Sequence, residues 1–539
     1  MVNTNSLDAI SPQVRQARLI AHIVRELKRT GHRVSRFETH ISCVLVAGGF
    51  AYKFKKAVKF DFLDFSTLDA RCFYCHEELR LNRRLAPRLY LDVVSVTGDP
   101  EHPRIGGEGE AIEYAVRMHA FEQQALWSYR LENNLITDAE IDELADQLAR
   151  FHRNAASAPP DRAWGDPQVI ASQSKETLRT LSSLVEEGNR PQLAELQAWV
   201  GSRLDDVSGA FKERKALGMV RECHGDLHCG NILSTEQGVE IFDCIEFNQD
   251  LRWIDVMSDL AFICMDLEFR RQRELGSRLL NHYLEITGDY AGLDVLHYYR
   301  VQRALVRSKI SFLRARQENI SHEDAQALVR QGHEYLFFAL QDAKPVRPAL
   351  MITHGYSGCG KTSFARLVVE SLGAIQIRSD VERKRMQGLT AASKGGPALY
   401  DSVITEQTYD CLLSIARKIL ASGLPVIVDA AMLKSAQRQR FADLASELGI
   451  PFFIFDVQAK QETMTYRLAV RANTGLDASD AGTEILERQL TFAEPLSVDE
   501  SLHAITVDME GGTDHLSVRS LCAPVSDAIG LSRTDCSNY

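Results

Sequence analysis

The feature that most limits how this chain can fold is GYSGCGKT, residues 355–362, set between the apolar run ALMITH and the amphipathic stretch SFARLVVESL. It fits G-x-x-x-x-G-K-[ST], with Gly355, Gly360, Lys361 and Thr362 at the defining positions. In that pattern the glycines let the loop fold tightly, so that its N–H groups point at phosphates. The lysine adds a point charge and the hydroxyl ligates Mg²⁺. The whole loop, Gly355, Ser357, Gly358, Cys359, Gly360, Lys361, Thr362 and Ser363, is therefore expected to bind a nucleotide. A strand, a tight loop and a helix in succession also dictate a crossover connection. Five short apolar runs (ALMITH, AIQIRSD, PVIVDA, PFFIFDV and HAITVDM) separated by helical stretches predict a mostly parallel, doubly wound α/β sheet over 344–514.

Ligands of such sheets bind beyond the carboxyl ends of the strands. Asp380 ends the second predicted strand and is expected to orient an acceptor hydroxyl. Asp429, after VIV in the third, is expected to hold Mg²⁺. Arg467 and Arg471, four apart in YRLAVRANTG, share one helical face and are expected to reach the transferring phosphoryl group. A solvated surface charge is the competing reading of each. This region resembles the small-molecule P-loop kinases of the gluconate kinase, chloramphenicol phosphotransferase and zeta-toxin type.

A second phosphate-handling pattern precedes it. In HGDLHCGNIL, residues 224–233, Asp226 is followed by Asn231, and then by Asp243 in EIFDCIEF. One carboxylate must orient an acceptor hydroxyl, and an amide and a second carboxylate must hold the metals that neutralise the phosphates. Asp226 is thus the candidate base, and Asn231 and Asp243 are the candidate metal ligands. This order is similar to that of the kinase catalytic loop and its metal-binding aspartate. His224 is either a core histidine bracing the loop or a chemical participant. Upstream, ISCVLVAGGFAYKFKKAVKF reads as two strands joined by Gly48-Gly49. Lys53 stands where a kinase fold places its phosphate-pairing lysine, with Lys55 and Lys56 as competitors. Glu78 on the next helix is its expected partner, with Glu77 as runner-up, and Met118 in YAVRMHAF is expected at the hinge near the adenine.

These residues resemble the aminoglycoside phosphotransferase family, a kinase-like α+β fold acting on small molecules. Gly225 stands where protein kinases carry an arginine, and no long activation segment separates Asp243 from Asp255. The whole-chain order resembles a bacterial two-domain family labelled bifunctional aminoglycoside phosphotransferase/ATP-binding proteins. The resemblance implies a kinase-like domain over 1–343, with a small lobe to about 120 and a helical lobe beyond. KPVRP then breaks the chain before the P-loop domain of 344–514, and 515–539 reads as an irregular tail. It implies ATP and Mg²⁺ as cofactors and a small-molecule hydroxyl, of an amino sugar, a sugar or an antibiotic, as acceptor. The alternatives are that one domain is a nucleotide-sensing regulatory module, or that the P-loop domain is a toxin-like kinase accompanying the other.

Composition narrows the partners. A net charge of -11 argues against a nucleic-acid binder. No apolar stretch approaches the length of a membrane span, and the first thirty residues lack a signal-peptide core. A cytoplasmic chain is expected. The eleven cysteines are scattered, with Cys72 and Cys75 the lone C-x-x-C, and read as reduced thiols. Oligomeric state is not legible in the sequence.

Overall fold

The computed structural model describes residues 11–531 apart from 61–62, 318–319, 392, 394, 397–398, 400, 475–478 and 480–481. The described residues form two compact units. One runs through Glu143 and adds Arg150–Asp166 and Arg214–Asp259. The other comprises Leu144–Ala149, Pro167–Glu213 and everything from Leu260 onward. These units cut the chain elsewhere than the proline-marked boundary at 344–348.

The first unit opens on the helix Pro12–Arg29. Ser11 caps it by accepting from the Val14 N–H, and Pro12 fills the first position, where a missing N–H costs nothing. Leu19, Ile20 and Ile23 form its buried stripe and pack against Cys43, Leu45, Phe54 and Val96. Burial of a side chain such as Phe54, which is wholly inaccessible, contributes about 1.5–3 kcal/mol. The strands β1 (Ser35–Glu38), β2 (Ser42–Ala47) and β3 (Phe50–Lys55) follow. Next come the short pair β4 (Lys59–Phe60) and β5 (Leu63–Asp64), then β6 (Tyr90–Asp99), β7 (His102–Ile105) and β8 (Ala111–His119). Six of these make one antiparallel sheet in the order β1-β2-β3-β8-β6-β7. Gly48 and Gly49 make the predicted two-residue turn between β2 and β3. The helix Leu68–Asn82 lies between β5 and β6. Two further antiparallel pairs frame the HGD loop. One joins β9 (Val220–Glu222) to β12 (Trp253–Asp255), and the other joins β10 (Ile232–Thr235) to β11 (Gly238–Ile241).

In the second unit the five apolar runs are strands, as read: β13 (Leu350–His354), β14 (Ile375–Arg378), β15 (Val426–Asp429), β16 (Phe452–Gln458) and β17 (Ala504–Asp508). They form a parallel sheet in the order β14-β15-β13-β16-β17. The P-loop leaves the central strand β13 and opens the helix Lys361–Leu372. Helices from Pro167–Leu184 to His322–Asp342 precede this sheet within the same unit. Two readings need correction. The tail is not irregular: His515–Leu521 and Ala523–Ile529 are helices, and Val518, Cys522, Val525 and Ile529 bury an apolar stripe against the P-loop core. Residues 532–539 lie outside the described residues. Asp380 does not end a strand, because β14 stops at Arg378 and Asp380 lies in the first turn of the helix Ser379–Met386. No disulfide joins the described cysteines, and among the described residues no helix is long and apolar enough to cross a membrane.

Candidate functional site

Strand β3 aims Lys53 and Lys55 to one side. Lys53 Nζ lies 2.8 Å from Glu78 Oε1 and 2.5 Å from Asp243 Oδ1. Lys55 bonds the other oxygen of Glu78 and also Glu246. Both competing lysines of the β3 face therefore share Glu78, while Lys56 turns outward to Glu38 at 2.8 Å. Glu77, the runner-up, faces away from Lys53 to Arg80 and Arg252. Burial raises the Glu78 carboxyl, but the two ammoniums more than offset it and hold Glu78 below the usual carboxylate range. Burial likewise lowers the Lys53 ammonium, and Asp243 and Glu78 outweigh it, so Lys53 stays charged. Glu246 is pushed up by burial, against the pull of Lys55. Met118 sits on β8 opposite Ala51 of β3, with its side chain packed in the apolar cluster beside Val116 and Leu89.

The HGD loop is fixed by a buried carboxylate, Asp259, which with Asp255 in RWIDVMSDLAF resembles the aspartates that follow the metal site of the aminoglycoside phosphotransferase family. Asp259 accepts from the His224 and Gly225 backbone N–H groups, each at 2.9 Å. His224 accepts from the Asp226 N–H at Nδ1 (3.2 Å), so its Nε2 carries the proton and donates to the Phe242 carbonyl at 2.9 Å. Burial pushes the ring toward its neutral form. His224 is thus a brace that ties the Asp226 backbone to the residue before Asp243. Gly225 has φ 89°, and a Cβ there would lie 2.6 Å from the Leu251 carbonyl oxygen, so an arginine cannot occupy the position. Asn231 donates to the Asp226 carbonyl at 2.9 Å and approaches its carboxylate at 3.3 Å. With the amide nitrogen so committed, Asn231 Oδ1 and the Asp243 carboxylate remain as hard oxygen donors of the kind Mg²⁺ takes. Asp243 holds a left-handed φ of 64°, a local cost kept in place by the Tyr90 hydroxyl on its N–H and by Asn82 on the next.

In the second unit a cavity of about 610 Å³ opens at the carboxyl ends of β13, β14 and β15. Ser357, Gly358, Gly360, Lys361, Thr362 and Ser363 line it, together with Asp380, Asp429, Arg467 and Arg471. Two predicted contributors do not line it. The Cys359 side chain is buried in the core and its N–H turns back to the Tyr356 carbonyl. Gly355 lies behind the loop, where a Cβ would run into the Val457 carbonyl. Arg467 also donates to the Cys359 and Met509 carbonyls, at 3.3 and 2.6 Å, so it ties the loop down as well as facing the cavity. Asp380 pairs with Arg383 at 2.6 Å. Asp429 is buried and its carboxyl is raised by that burial, against the pull of Arg378, Lys361 and the Thr362 hydroxyl. A buried carboxylate beside a hydroxyl is a pair of hard oxygen donors of the kind a divalent cation takes.

Sequence reasoning missed Arg378, Arg383, Gln376 and Gln489 around this cavity. Gln376 and Arg378 carried a usable signal: two polar residues at i and i+2 inside an apolar strand run share one face and need partners there.

A family model described as Phosphotransferase enzyme family matches residues 74–296, and one described as AAA domain matches 350–496. Uncharacterized protein Rv2004c of Mycobacterium tuberculosis and Uncharacterized protein Mb2027c of Mycobacterium bovis are each 30% identical over 452 residues, 82% of this chain and 87% of theirs. Among solved structures, choline kinase from Cryptosporidium parvum aligns with 11% identity and a TM-score of 0.39, over 61% of this chain and 94% of its own. A gluconokinase from Sinorhizobium meliloti aligns with 19% identity and a TM-score of 0.25, over 34% and 95%. The chain belongs to the bacterial two-domain family that joins an aminoglycoside phosphotransferase-like kinase domain to a P-loop domain.

Proposed function

We propose that the chain is an ATP-dependent phosphotransferase with two nucleotide sites, transferring the γ-phosphate to a hydroxyl of a small molecule such as an amino sugar or sugar. The observation that carries this reading is Lys53, held between Glu78 and Asp243 beside a loop that presents Asp226 and Asn231. In the first site Lys53 pairs with the phosphates while Glu78 fixes its position. Asn231 and Asp243 hold Mg²⁺, which when bound neutralises the charge on the phosphates. Asp226 accepts the proton of the acceptor hydroxyl, and its loop keeps still because Asp259 and His224 grip both sides of it. A positioned base of this kind contributes about 10²- to 10⁴-fold in rate. In the second site Lys361 and the Ser357–Ser363 amides bind the triphosphate, and Thr362 and Asp429 hold the cation. Asp380 orients the acceptor, and Arg467 and Arg471 face the phosphoryl group.

The test is a metabolite panel incubated with the full chain and γ-labelled ATP, run beside Asp226→Ala and Lys361→Ala. Each substitution is expected to abolish a different labelled product. Absence of any labelled product across hydroxylated acceptors, or retention of every product in both variants, refutes the reading.

A further inference from the structure

The helix Arg273–Thr287 lies within the phosphotransferase-family match, yet its polar side chains end on the P-loop sheet of the same compact unit. Strand β14 is the edge of that sheet, and Asn281 bonds its backbone as a neighbouring strand would. Asn281 Oδ1 accepts from the Gln376 N–H at 2.7 Å, and its Nδ2 donates to the Ala374 carbonyl at 3.0 Å. One turn along the helix, Glu285 pairs with Arg378 at 2.7 Å. Tyr290 then donates to Glu382 at 2.9 Å. The two β14 residues fixed by this docking are the two that touch Asp429. Gln376 Nε2 donates to Asp429 Oδ2 at 3.0 Å, and Arg378 Nε stands 3.8 Å from the same oxygen.

We propose that Asn281 and Glu285 are positioning residues of the P-loop site, and that Glu285 holds the Arg378 guanidinium off Asp429 so that this carboxylate is open to Mg²⁺. The inference rests on the P-loop cavity being a magnesium-nucleotide site. Arg378 is a buried cation with carboxylates on two sides, and it sits on the nearer one. Without the charge of Glu285, attraction to Asp429 draws the guanidinium onto the oxygens the metal needs. The P-loop domain would then depend on a helix that the preceding kinase-like region supplies, which gives the fusion a physical purpose.

The experiment titrates Mg²⁺ against the full chain at a fixed concentration of a fluorescent ATP analogue. Lys361→Ala identifies the P-loop share of the binding. If it removes none, the site reading falls and this inference falls with it. Glu285→Gln is expected to raise the Mg²⁺ concentration for half-maximal P-loop binding by about ten- to a hundred-fold, the usual effect of losing a partner that orients a metal ligand. At saturating Mg²⁺ the Lys361-dependent binding should reach its wild-type amplitude, which reports that the P-loop unit of the variant is folded. Glu285→Gln/Arg378→Gln is expected to return the Mg²⁺ requirement toward the wild-type value, because no guanidinium is left to compete. With the P-loop site established, an unchanged requirement in Glu285→Gln overturns the proposal. So does an equal loss in the single and double variants, which would make the helix a scaffold only.

Discussion

Asp259→Asn tests whether the HGD loop is held by a buried charge. Both Asp259 oxygens are engaged, one by the His224 N–H and the other by the Gly225 N–H, each at 2.9 Å. Burial raises this carboxyl, but the bonds from His152 and His224 outweigh it and hold it lowered from 3.8 to about 2. At 1.36 kcal/mol per pH unit, that drop is worth about 2 kcal/mol in favour of the charged form. Counting bonds gives a similar figure. Asparagine keeps the shape but offers one acceptor oxygen and turns an NH₂ toward the other N–H, losing one charge-assisted bond of about 1.5–3 kcal/mol. Because the pKa is depressed in the folded state, the contribution is complete above 3.8 and fades as pH falls toward about 2, so neutral pH is the right condition. In hydrogen exchange read on peptides spanning Glu222–Leu227, the His224 and Gly225 amides should exchange about 30-fold faster in the variant if 2 kcal/mol of local protection is lost. Transfer at the first site should slow as well, with nucleotide affinity preserved. Unchanged exchange of these two amides would refute the clamp.

Lys53→Met removes one of the two ammoniums on Glu78 and leaves Asp243 without its 2.5 Å partner. Calorimetry should show the first nucleotide site lost and the Lys361-dependent site intact, with thermal unfolding lowered, since breaking a buried ion pair costs about 3–5 kcal/mol. Gly225→Ala forces a Cβ against the Leu251 carbonyl at a positive φ, and should destabilise the first unit by about 1–3 kcal/mol, read as a lower urea midpoint of its transition. Chelation of Mg²⁺ should weaken nucleotide binding more at the first site, where the carboxylates of Asp226 and Asp243 would meet the phosphates without the metal, than at the P-loop cavity, whose lining carries seven basic side chains against three acidic ones. Titration of Lys361→Ala and of Lys53→Met with and without EDTA separates the two.

The parts of this molecule written locally were legible. The P-loop, the five strands of its sheet, the HGD-to-Asn231 spacing and the choice of Glu78 over Glu77 all follow from neighbours within one element or from helical phase. What escaped depends on partners far apart in sequence. The likeness of Asp259 to the aspartates that follow the family's metal site says nothing of its task, which shows only when the fold brings it to the His224 amide, 35 residues upstream. Lys55 reads as a competitor of Lys53, and only Glu246, 191 residues away, explains how Lys55 can be buried beside it. The tail failed for a different reason. Its helices are seven residues each, too short for helical periodicity to register, and they are held by packing onto the P-loop core.

The same long-range pairs also make the two sites different in kind. Around Lys53 the positions of the charges are fixed by other charges, Lys53 and Lys55 bracketing Glu78 and Glu246 pairing with Lys55 in the interior, where moving one member leaves an uncompensated ion. Such a network pays its desolvation cost on folding, so Lys53, Glu78 and Asp243 are held in place by the fold itself. The P-loop is held by neutral stand-ins: Lys361 rests on the Tyr356 carbonyl at 2.7 Å, and the Ser357 N–H rests on Gln489 Oε1 at 2.8 Å. Each such bond is worth about 1 kcal/mol net, and a phosphate oxygen offers a stronger, charged acceptor to the same donors. A triphosphate entering the cavity therefore exchanges bonds rather than breaking ion pairs.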